Sequence, residues 1–182
     1  TQDVAVQITD VVISGTDSTS DPGTDTGTDT GTDTGIDSGS TVGPAVFEDG
    51  AFGNTVSEAG GIFTYPTGAE SWGGWANTNE DMYPLSFSEG ATLTFTAAVV
   101  DGGTADVRFR FEFMPHPAVD PAYDTDAVTV TGSVPMEYSI EIPSQGANTF
   151  SSFIMYLNTQ DVAVQITNVV ISGTDTIAST GT

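Results

Sequence analysis

Residues 107–113 read VRFRFEF, and this stretch decides the fold class. Valine and phenylalanine occupy every second position, and charged residues lie between them. Because successive side chains of a β-strand point to opposite faces, a period of two predicts a half-buried strand with one apolar and one polar face. The apolar face would comprise Val107, Phe109, Phe111 and Phe113.

Similar strand patterns lie on both sides of this stretch. The segment ATLTFTAAVV, residues 91–100, places four apolar residues on one face: Leu93, Phe95, Ala97 and Val99. Further strand patterns lie near residue 127, from 150 and from 161, and a fourth points four side chains inward: Met136, Tyr138, Ile140 and Ile142. No stretch has a helical period. We therefore expect an all-β domain over residues 42–175, a two-sheet antiparallel β-sandwich of jelly-roll type.

The last strand pattern of this domain occurs twice in the chain. Residues 1–17 read TQDVAVQITDVVISGTD and residues 159–175 read TQDVAVQITNVVISGTD, so the copies differ only in Asp10 and Asn168. A repeat of this kind indicates a tandem array of modules. We interpret residues 1–17 as an orphan closing strand of a preceding repeat.

The segment between the two copies has the composition of a linker. Residues 18–41 have a GTDT period and no large apolar residue except Ile36, so they cannot bury enough surface to offset the entropy of ordering. The spaced aspartates Asp25, Asp29 and Asp33 could also suggest calcium binding. However, the segment has neither the EF-hand loop pattern nor the glycine-rich nonapeptide of β-roll repeats. We predict a flexible acidic linker over 18–41 and the start of the next linker over 176–182.

We expect the orphan strand to pair with a β-sheet. Residues 1–15 can compete for the place of residues 159–173, in their own molecule or in a neighbour, or they can add to a sheet edge. The first outcome in a neighbour would give a strand-swapped dimer.

The charge of the chain restricts its partners. It contains 25 acidic residues and two basic ones, with a formal net charge of −23 over 182 residues. Nucleic acid and anionic membranes require clustered cations, so both are excluded as partners. A marine bacterium is a source consistent with this charge, because salt screens self-repulsion.

Both cations of the chain lie on one strand. Arg108 and Arg110 share with Glu112 the face opposite the phenylalanines. One interpretation is that they form ion pairs with acidic neighbours such as Glu137 or Glu141. The other is that they lie on a concave binding face, where the fixed donors of a guanidinium can bind vicinal sugar hydroxyls.

Both tryptophans lie close together in the segment SWGGWAN. Trp72 and Trp75 flank two glycines, and Tyr65 and Tyr83 are near in sequence. Aromatic faces in a loop are suited to stacking on pyranose rings, whereas a buried core tryptophan is the alternative for each indole.

Several motifs together resemble a known family of domains. The segments VFEDGAFGN, GATLTFTAAV and DVAVQITNVVIS resemble the jelly-roll carbohydrate-binding modules, the broad group that includes families 4, 6 and 22. The chain also resembles noncatalytic modules of marine bacterial laminarinases, in the segments DMYPLSF, VRFRFEF, PHPAVDPAYDT and QGANTFSSFIMYL. The resemblance implies a module that binds polysaccharide, above all β-1,3-glucan, and that is linked to a catalytic domain of the same full-length chain.

The resemblance also implies a structural calcium ion between the first and last strands. The matching positions in this chain are Glu48, Asp49 and Asn168. The orphan copy has aspartate at the position of Asn168, and an amide is the weaker ligand, although calcium accepts amide oxygens.

The residues required for most enzyme mechanisms are scarce. His116 is the only histidine, it lies between two prolines, and the chain has no lysine or cysteine. Most of the residues that catalytic triads, zinc sites and Schiff-base enzymes require are therefore missing. We expect no enzyme activity and a secreted or cell-surface bacterial location. The alternative function is a structural or adhesive surface repeat without sugar binding.

Overall fold

The structure of the protein is a computed structural model that describes residues 39–175. These residues belong to one unit of the chain, Asp37–Thr182. They form fourteen strands: β1 Ser40–Val42, β2 Ala51–Phe52, β3 Val56–Glu58, β4 Ile62–Thr64, β5 Gly74–Ala76, β6 Leu85–Ser86, β7 Ala91–Val99, β8 Thr104–Glu112, β9 Ala122–Asp124, β10 Val128–Thr131, β11 Met136–Ile142, β12 Thr149–Phe150, β13 Ser152–Leu157 and β14 Ala163–Thr174. One turn of 3-10 helix, Glu80–Met82, precedes β6.

The strands form two large sheets. In sheet A the order is β11-β7-β14-β4-β3, with β1 beside β14, and in sheet B it is β10-β8-β13-β5-β2, with β9 beside β8. A short pair, β12 and β6, lies outside both. Every strand pair is antiparallel. The prediction of an all-β, two-sheet antiparallel sandwich is confirmed.

The core lies between the two sheets and is rich in phenylalanine. Phe109 and Phe111 of β8 are fully buried, as the alternation predicts. The ring of Phe109 contacts Phe95 of sheet A edge to face, with 5.3 Å between the ring centroids. The ring of Phe111 stacks on Phe153 of β13 at 4.6 Å. Truncating one such ring to alanine would cost about 3–5 kcal/mol, because the cavity adds to the lost burial.

Two residues predicted to face the core are exposed. Phe113 is 40% exposed because β8 ends at Glu112, and its N–H donates to the carbonyls of Val119 and Pro121 in the following loop. Met136 is 56% exposed because it begins β11, the edge strand of sheet A. The alternation gave the correct face for the middle of each strand, but the strand ends lie beyond the cover of the opposite sheet.

The last strand, β14, lies in the centre of sheet A between β7 and β4. Its register shifts between Thr167 and Val170, and Asn168 within this bulge has a positive φ of 53°. The bulge changes the alternation, so that the buried apolar side chains of β14 are Val164, Ile166, Val169 and Ile171. The end of β14 pairs with the beginning of β1, where Ser40 is opposite Thr174. Strand β1 therefore includes two residues at the end of the segment interpreted as linker.

Some sequence-based predictions concern residues outside the described range. The orphan strand 1–17, most of the linker 18–41 and the segment 176–182 lie outside it. Within residues 39–175, no helix has the length and apolar character needed to cross a membrane.

Candidate functional site

A cleft of about 1200 Å³ lies on the outer face of sheet B. Its floor comes from side chains that alternate with the buried core positions of β8 and β13, among them Arg110, Ile154 and Tyr156. Trp72 lines the same cleft, and a neighbouring pocket of about 530 Å³ shares Trp72, Arg110 and Tyr156 with it. This large concave surface is therefore on the face opposite the phenylalanines.

The strand register brings the floor residues together. In sheet B, Arg110 pairs with Ile154 on one side and with Asp124 on the other, and Arg108 pairs with Tyr156. Directly opposed residues of an antiparallel pair share a face and lie about 4.5–5.5 Å apart. A row of cross-strand neighbours thus places two arginines, a tyrosine and an aspartate on one surface.

The two arginines are held by carboxylates of the cleft. Arg108 Nη1 donates to Asp124 Oδ1 at 2.8 Å, and Arg110 Nη1 donates to the other oxygen of the same carboxylate. Arg110 Nε donates to Glu112 Oε1 at 2.7 Å, and this bond raises the pKa of Arg110 further above its already high value. The prediction that the arginines pair with Glu137 or Glu141 is wrong. These glutamates belong to β11 in sheet A, whereas the arginines belong to β8 in sheet B.

The arginines are therefore ion-paired, and they also lie on the concave outer face of sheet B, whereas sugar binding by them stays a prediction. The guanidinium of Arg108 also lies over the ring of Tyr156, 4.1 Å from the ring centroid, in a cation–π contact. Burial raises the pKa of the Tyr156 hydroxyl, with a further contribution from the charge of Glu112, so the phenol stays a neutral donor. These contacts hold the side chains in defined positions.

Trp72 forms a wall of the cleft. Its side chain is 59% exposed, and its ring stacks on Phe52 with 6.1 Å between centroids and 9° between planes. Phe52 is perpendicular to Tyr156, at 90° and 6.3 Å. Trp72 and Tyr156 are therefore roughly perpendicular to each other, and the cleft has an aromatic wall that stands on an aromatic floor.

Trp75 does not belong to the cleft, and the prediction that it binds sugar is wrong. It has 0% exposure and contacts Phe63 edge to face at 5.4 Å. The reason is that residues 74–76 form β5, which pairs with β13 and β2, so Trp75 faces the core. Its indole Nε1 has no hydrogen-bond partner among the described residues.

Gly74, the first residue of β5, has a packing role. A Cβ on Gly74 would lie 2.8 Å from the carbonyl oxygen of Met155 and 2.8 Å from two ring atoms of Tyr156. No real Cβ makes such contacts, so only glycine allows Tyr156 to lie against β5. The pair of glycines in SWGGWAN thus indicates close packing of strands, in addition to a turn.

The two tyrosines predicted for the site have different positions. Tyr65 follows β4 of sheet A, packs against the core, donates from its hydroxyl to the carbonyl of Glu70 at 3.3 Å, and does not line the cleft. Tyr83 lines the cleft, but its hydroxyl accepts hydrogen bonds from Asn77 Nδ2 and from the N–H of Phe153, both at 3.0 Å. Burial raises the pKa of Tyr83. Its hydroxyl therefore connects the loop before β6 to β13.

Several residues of the cleft and the neighbouring pocket were not predicted as site residues. Tyr156, Glu112 and Asp124 are on the floor of these two pockets, and His116, noted in the sequence only as the histidine between two prolines, lines the cleft. The alternation in FSSFIMYLN could have shown that Tyr156 faces away from the core. The position of His116 depends on how the loop between β8 and β9 folds back, which has no local signal.

Of the residues predicted to hold calcium, Glu48 is bonded to Gly61, which in turn is bonded to the strand that contains Asn168. Glu48 Oε1 accepts from the N–H of Gly61 at 2.6 Å, and the Gly61 carbonyl accepts from the N–H of Ile166 at 2.8 Å, two residues before Asn168. Asp49 is exposed beside Glu48. Residues 39–175 contain no group of three or more His, Cys, Asp or Glu side chains arranged for a metal ion. Most of the six to eight oxygens that calcium requires would have to come from main-chain carbonyls, amides and water.

Comparisons with known proteins identify similar folds, but no related sequence. No protein-family model matches this chain, and no curated protein matches it. Among solved structures, the chain is similar to the CBM22-1 xylan-binding domain of Xyn10C from Paenibacillus barcinonensis, with 19% identity, a TM-score of 0.50, and coverage of 78% of this chain and 98% of that one. It is also similar to CBM29_1, a family 29 carbohydrate-binding module from Piromyces equi, with 12% identity, a TM-score of 0.48, and coverage of 75% and 93%.

The fold of this protein is a β-sandwich similar to that of the family 22 carbohydrate-binding modules. The resemblance to jelly-roll modules, including family 22, that was found in the sequence is confirmed at the level of the fold.

Proposed function

We propose that this protein is a noncatalytic carbohydrate-binding module and that polysaccharide binds in the cleft of sheet B. The observation that carries the proposal is the exposed Trp72 indole above a floor of fixed hydrogen-bonding side chains. An exposed indole stacks on the C–H face of a sugar ring, because the ring is large, rigid and inexpensive to order. The fold similarity to a xylan-binding domain supports the same class of function.

The arginines supply directional contacts for hydroxyl groups. Nε and Nη1 of both guanidiniums are engaged with Asn158, Asp124 and Glu112. Within residues 39–175, no protein acceptor bonds to Nη2 of Arg108 or Arg110, so these two groups remain as donors for a ligand. Donors held in fixed positions lose little entropy on binding, which favours affinity.

The state of the cleft carboxylates supports a noncatalytic function. Glu112 accepts from Arg110 with one oxygen and from the Ser152 hydroxyl with the other at 3.3 Å, and both oxygens of Asp124 accept from arginines. A glycosidase needs a pair of carboxyl groups, one acting as acid and one as base or nucleophile. All four oxygens of Glu112 and Asp124 already serve to hold other side chains, and Glu80 is the one further carboxyl group among the residues that line the cleft and the neighbouring pocket, which does not make a pair.

The single exposed stacking platform favours a curved glucan as ligand. Trp72 is this platform, because the ring of Tyr156 is covered by the Arg108 guanidinium. A β-1,4 chain such as cellulose is a flat ribbon, so its consecutive rings stack best on several platforms that face the same way. A β-1,3 chain turns at each linkage and can present one ring to one platform, which supports β-1,3-glucan as the polysaccharide. We infer that the module holds an appended hydrolase at this substrate outside the cell.

Titration calorimetry of the full chain against four ligands tests the proposal. Laminarin, a soluble β-1,3-glucan, is expected to bind most tightly, and xylan, cellohexaose and mannohexaose more weakly. An assay for new reducing ends in the same samples should stay at background. Equal binding of cellohexaose and laminarin would contradict the specificity, and no binding to any of the four would favour the structural or adhesive repeat.

A further inference from the structure

The cleft and the neighbouring pocket meet at one place on sheet B. They share three side chains, Trp72, Arg110 and Tyr156. From this place one arm of the cleft crosses the strands to Ala76 of β5 and Phe52 of β2. Strands β5 and β2 follow β13 in the order of the sheet, so this arm extends away from β8.

Two further arms leave the same place in other directions. The second arm of the cleft follows β8 to its end, where Glu112 and then His116 line it. The pocket is the third arm and extends to Asp124 of β9. Arg110 pairs with β13 on one side and with Asp124 on the other, so the pocket and the first arm lie on opposite sides of it. A linear chain can follow two of these arms, whereas a branched chain can fill all three.

The pocket is the smallest and most polar of the three arms. Its volume is about 530 Å³, compared with about 1200 Å³ for the whole cleft. Small-molecule sites generally measure about 300–1,000 Å³, so the pocket suits a ligand of one or two sugar rings. Apart from the shared residues it is lined by Ser71, Arg108 and Asp124, all of them polar. The cleft in contrast gains apolar side chains such as Phe52 and Ile154.

The pocket contains charged hydrogen-bond donors at defined positions. Arg108 donates from Nε to Asn158 and from Nη1 to Asp124, and its guanidinium lies 4.1 Å from the ring centroid of Tyr156. No acceptor within residues 39–175 bonds to its Nη2, which leaves a charged donor on the wall of the pocket. A sugar at the end of a branch carries more free hydroxyls than one within a chain, so it can use such a donor well.

The chemistry of a β-1,3 chain indicates where a branch can begin. The primary hydroxyl of each ring is not used by the linkages, and it is held on an exocyclic carbon. A sugar attached there leaves the C–H face of the ring free to stack on an indole. Because Trp72 lines both the cleft and the pocket, a ring stacked on Trp72 in the cleft can direct this substituent into the pocket.

We propose that the pocket binds a β-1,6-linked glucosyl branch of a β-1,3-glucan whose main chain lies in the cleft. This inference rests on the proposed function and adds the class of glucan that the site prefers. Arg108 donates to the hydroxyls of the branch, and a hydrogen bond to a charged group is sufficient for a gain of about tenfold in affinity. The module therefore selects branched over linear β-1,3-glucan.

Titration calorimetry of the full chain with three matched glucans tests this. Linear laminarihexaose supplies the main chain, and a laminarihexaose with one β-1,6-linked glucose on an internal ring adds the branch. Linear laminariheptaose has as many rings as the branched ligand but no branch. The branched ligand should bind about tenfold more tightly than either linear one.

Two variants of the pocket and one of the cleft locate the effect. Ser71→Tyr fills the pocket from an exposed position, so it should remove the advantage of the branched ligand and change the affinity for laminarihexaose less than about twofold. Arg108→Gln removes the charged donor and should reduce the ratio of the branched to the linear affinity to about one. His116→Ala is the matched control, because His116 lines the cleft but not the pocket, and it should leave the ratio at about tenfold. Thermal unfolding checks that each variant is folded.

The outcomes separate this inference from the proposed function. Equal affinity for the three glucans would overturn the inference and leave the proposed function intact, whereas no binding of any of them would overturn both. A gain for laminariheptaose as large as that for the branched ligand would assign the pocket to the main chain and overturn the inference. A preference for the branch that survives in folded Ser71→Tyr and Arg108→Gln would also overturn it, because the branch would then bind elsewhere.

Saturation-transfer NMR provides a second measurement on the branched ligand. The anomeric proton of the β-1,6-linked ring should receive saturation from the original chain as the main-chain rings do, and it should lose this saturation in Ser71→Tyr. A branch ring without saturation in the original chain would contradict the proposal.

Discussion

Replacing Trp72 with alanine isolates the contribution of the aromatic wall to polysaccharide binding. The indole is 59% exposed, which corresponds to about 150 Å² of an aromatic side chain of about 250 Å². A sugar ring that covers one face removes about half of this area, roughly 75 Å², from water, and at about 25 cal/mol per Å² the contact contributes about 1.9 kcal/mol. The dissociation constant for laminarin should therefore rise about 20-fold.

The same substitution should leave the fold nearly unchanged. Trp72 contacts Phe52 by stacking, and an aromatic pair contributes about 0.5–1.5 kcal/mol, so a small fall in melting temperature is expected. Trp75→Ala is the opposite case, because a fully buried indole leaves a cavity and costs about 3–5 kcal/mol. The two tryptophans, three residues apart, should thus separate binding from stability.

Calorimetry with laminarin and thermal unfolding measure the two effects. Trp72→Phe keeps an aromatic face and should recover most of the affinity. Val134→Ala is the matched control for an exposed apolar side chain outside the cleft, and it should change neither quantity. Unchanged laminarin binding by Trp72→Ala, with the other variants behaving as expected, would refute the reasoning.

Three further predictions concern single groups. Arg110→Lys keeps the charge but loses the planar fork that binds Glu112 and Asp124, so laminarin affinity in calorimetry should fall about tenfold, and unchanged affinity would contradict a role of the fork. If calcium binds near Glu48 and Asn168, a chelator should lower the melting temperature, because the ion stabilises the folded state. Asn168→Asp should increase the rise in melting temperature on adding calcium, because a carboxylate is the stronger ligand. A melting temperature that changes with neither chelator nor added calcium would exclude the ion. Hydrogen bonds from Ser86, and next those from Ser88, lower the pKa of Asp175. Its carboxylate therefore stabilises the fold at neutral pH, and this stabilisation is lost as pH falls through the lowered pKa. Asp175→Asn should cost about 1 kcal/mol at pH 7 in denaturant unfolding, and less once the pH is below the ordinary pKa of an aspartate, about 3.9; an equal cost at both pH values would contradict this.

The fold could be predicted from the sequence because its main signal is local. Alternation in β7 and β8 identifies strands, their buried faces and an all-β class without reference to any distant residue. The same signal placed Arg108 and Arg110 on the outer face. It failed at Phe113 and Met136, where burial depends on how far the opposite sheet extends, which no local pattern contains.

The membership of the cleft depended on pairing between distant segments. Tyr156 belongs to the site because β13 pairs with β8 in the register that sets it opposite Arg108, and Asp124 belongs because β9 pairs with the other edge of the same strand. The choice between Trp72 and Trp75 depended on whether residues 74–76 form a loop or a strand. Two glycines predicted a loop, whereas the absence of a side chain at Gly74 in fact allows the close approach of β13.

The charge of the cleft follows from the scarcity of cations in the chain. Both basic residues of a protein with net charge −23 lie on this one face, Arg110 in the cleft and Arg108 in the neighbouring pocket, and each is paired with a carboxylate there. Without the arginines, Glu112, which is 7% exposed, would be a nearly buried charge without a partner, and such a group costs several kcal/mol. The arginines therefore keep the floor close to electrically neutral within a strongly negative protein. A neutral polysaccharide can bind to such a floor, whereas a uronate or sulfated chain would meet the repulsion of the whole molecule and no unpaired cation among the residues that line the cleft.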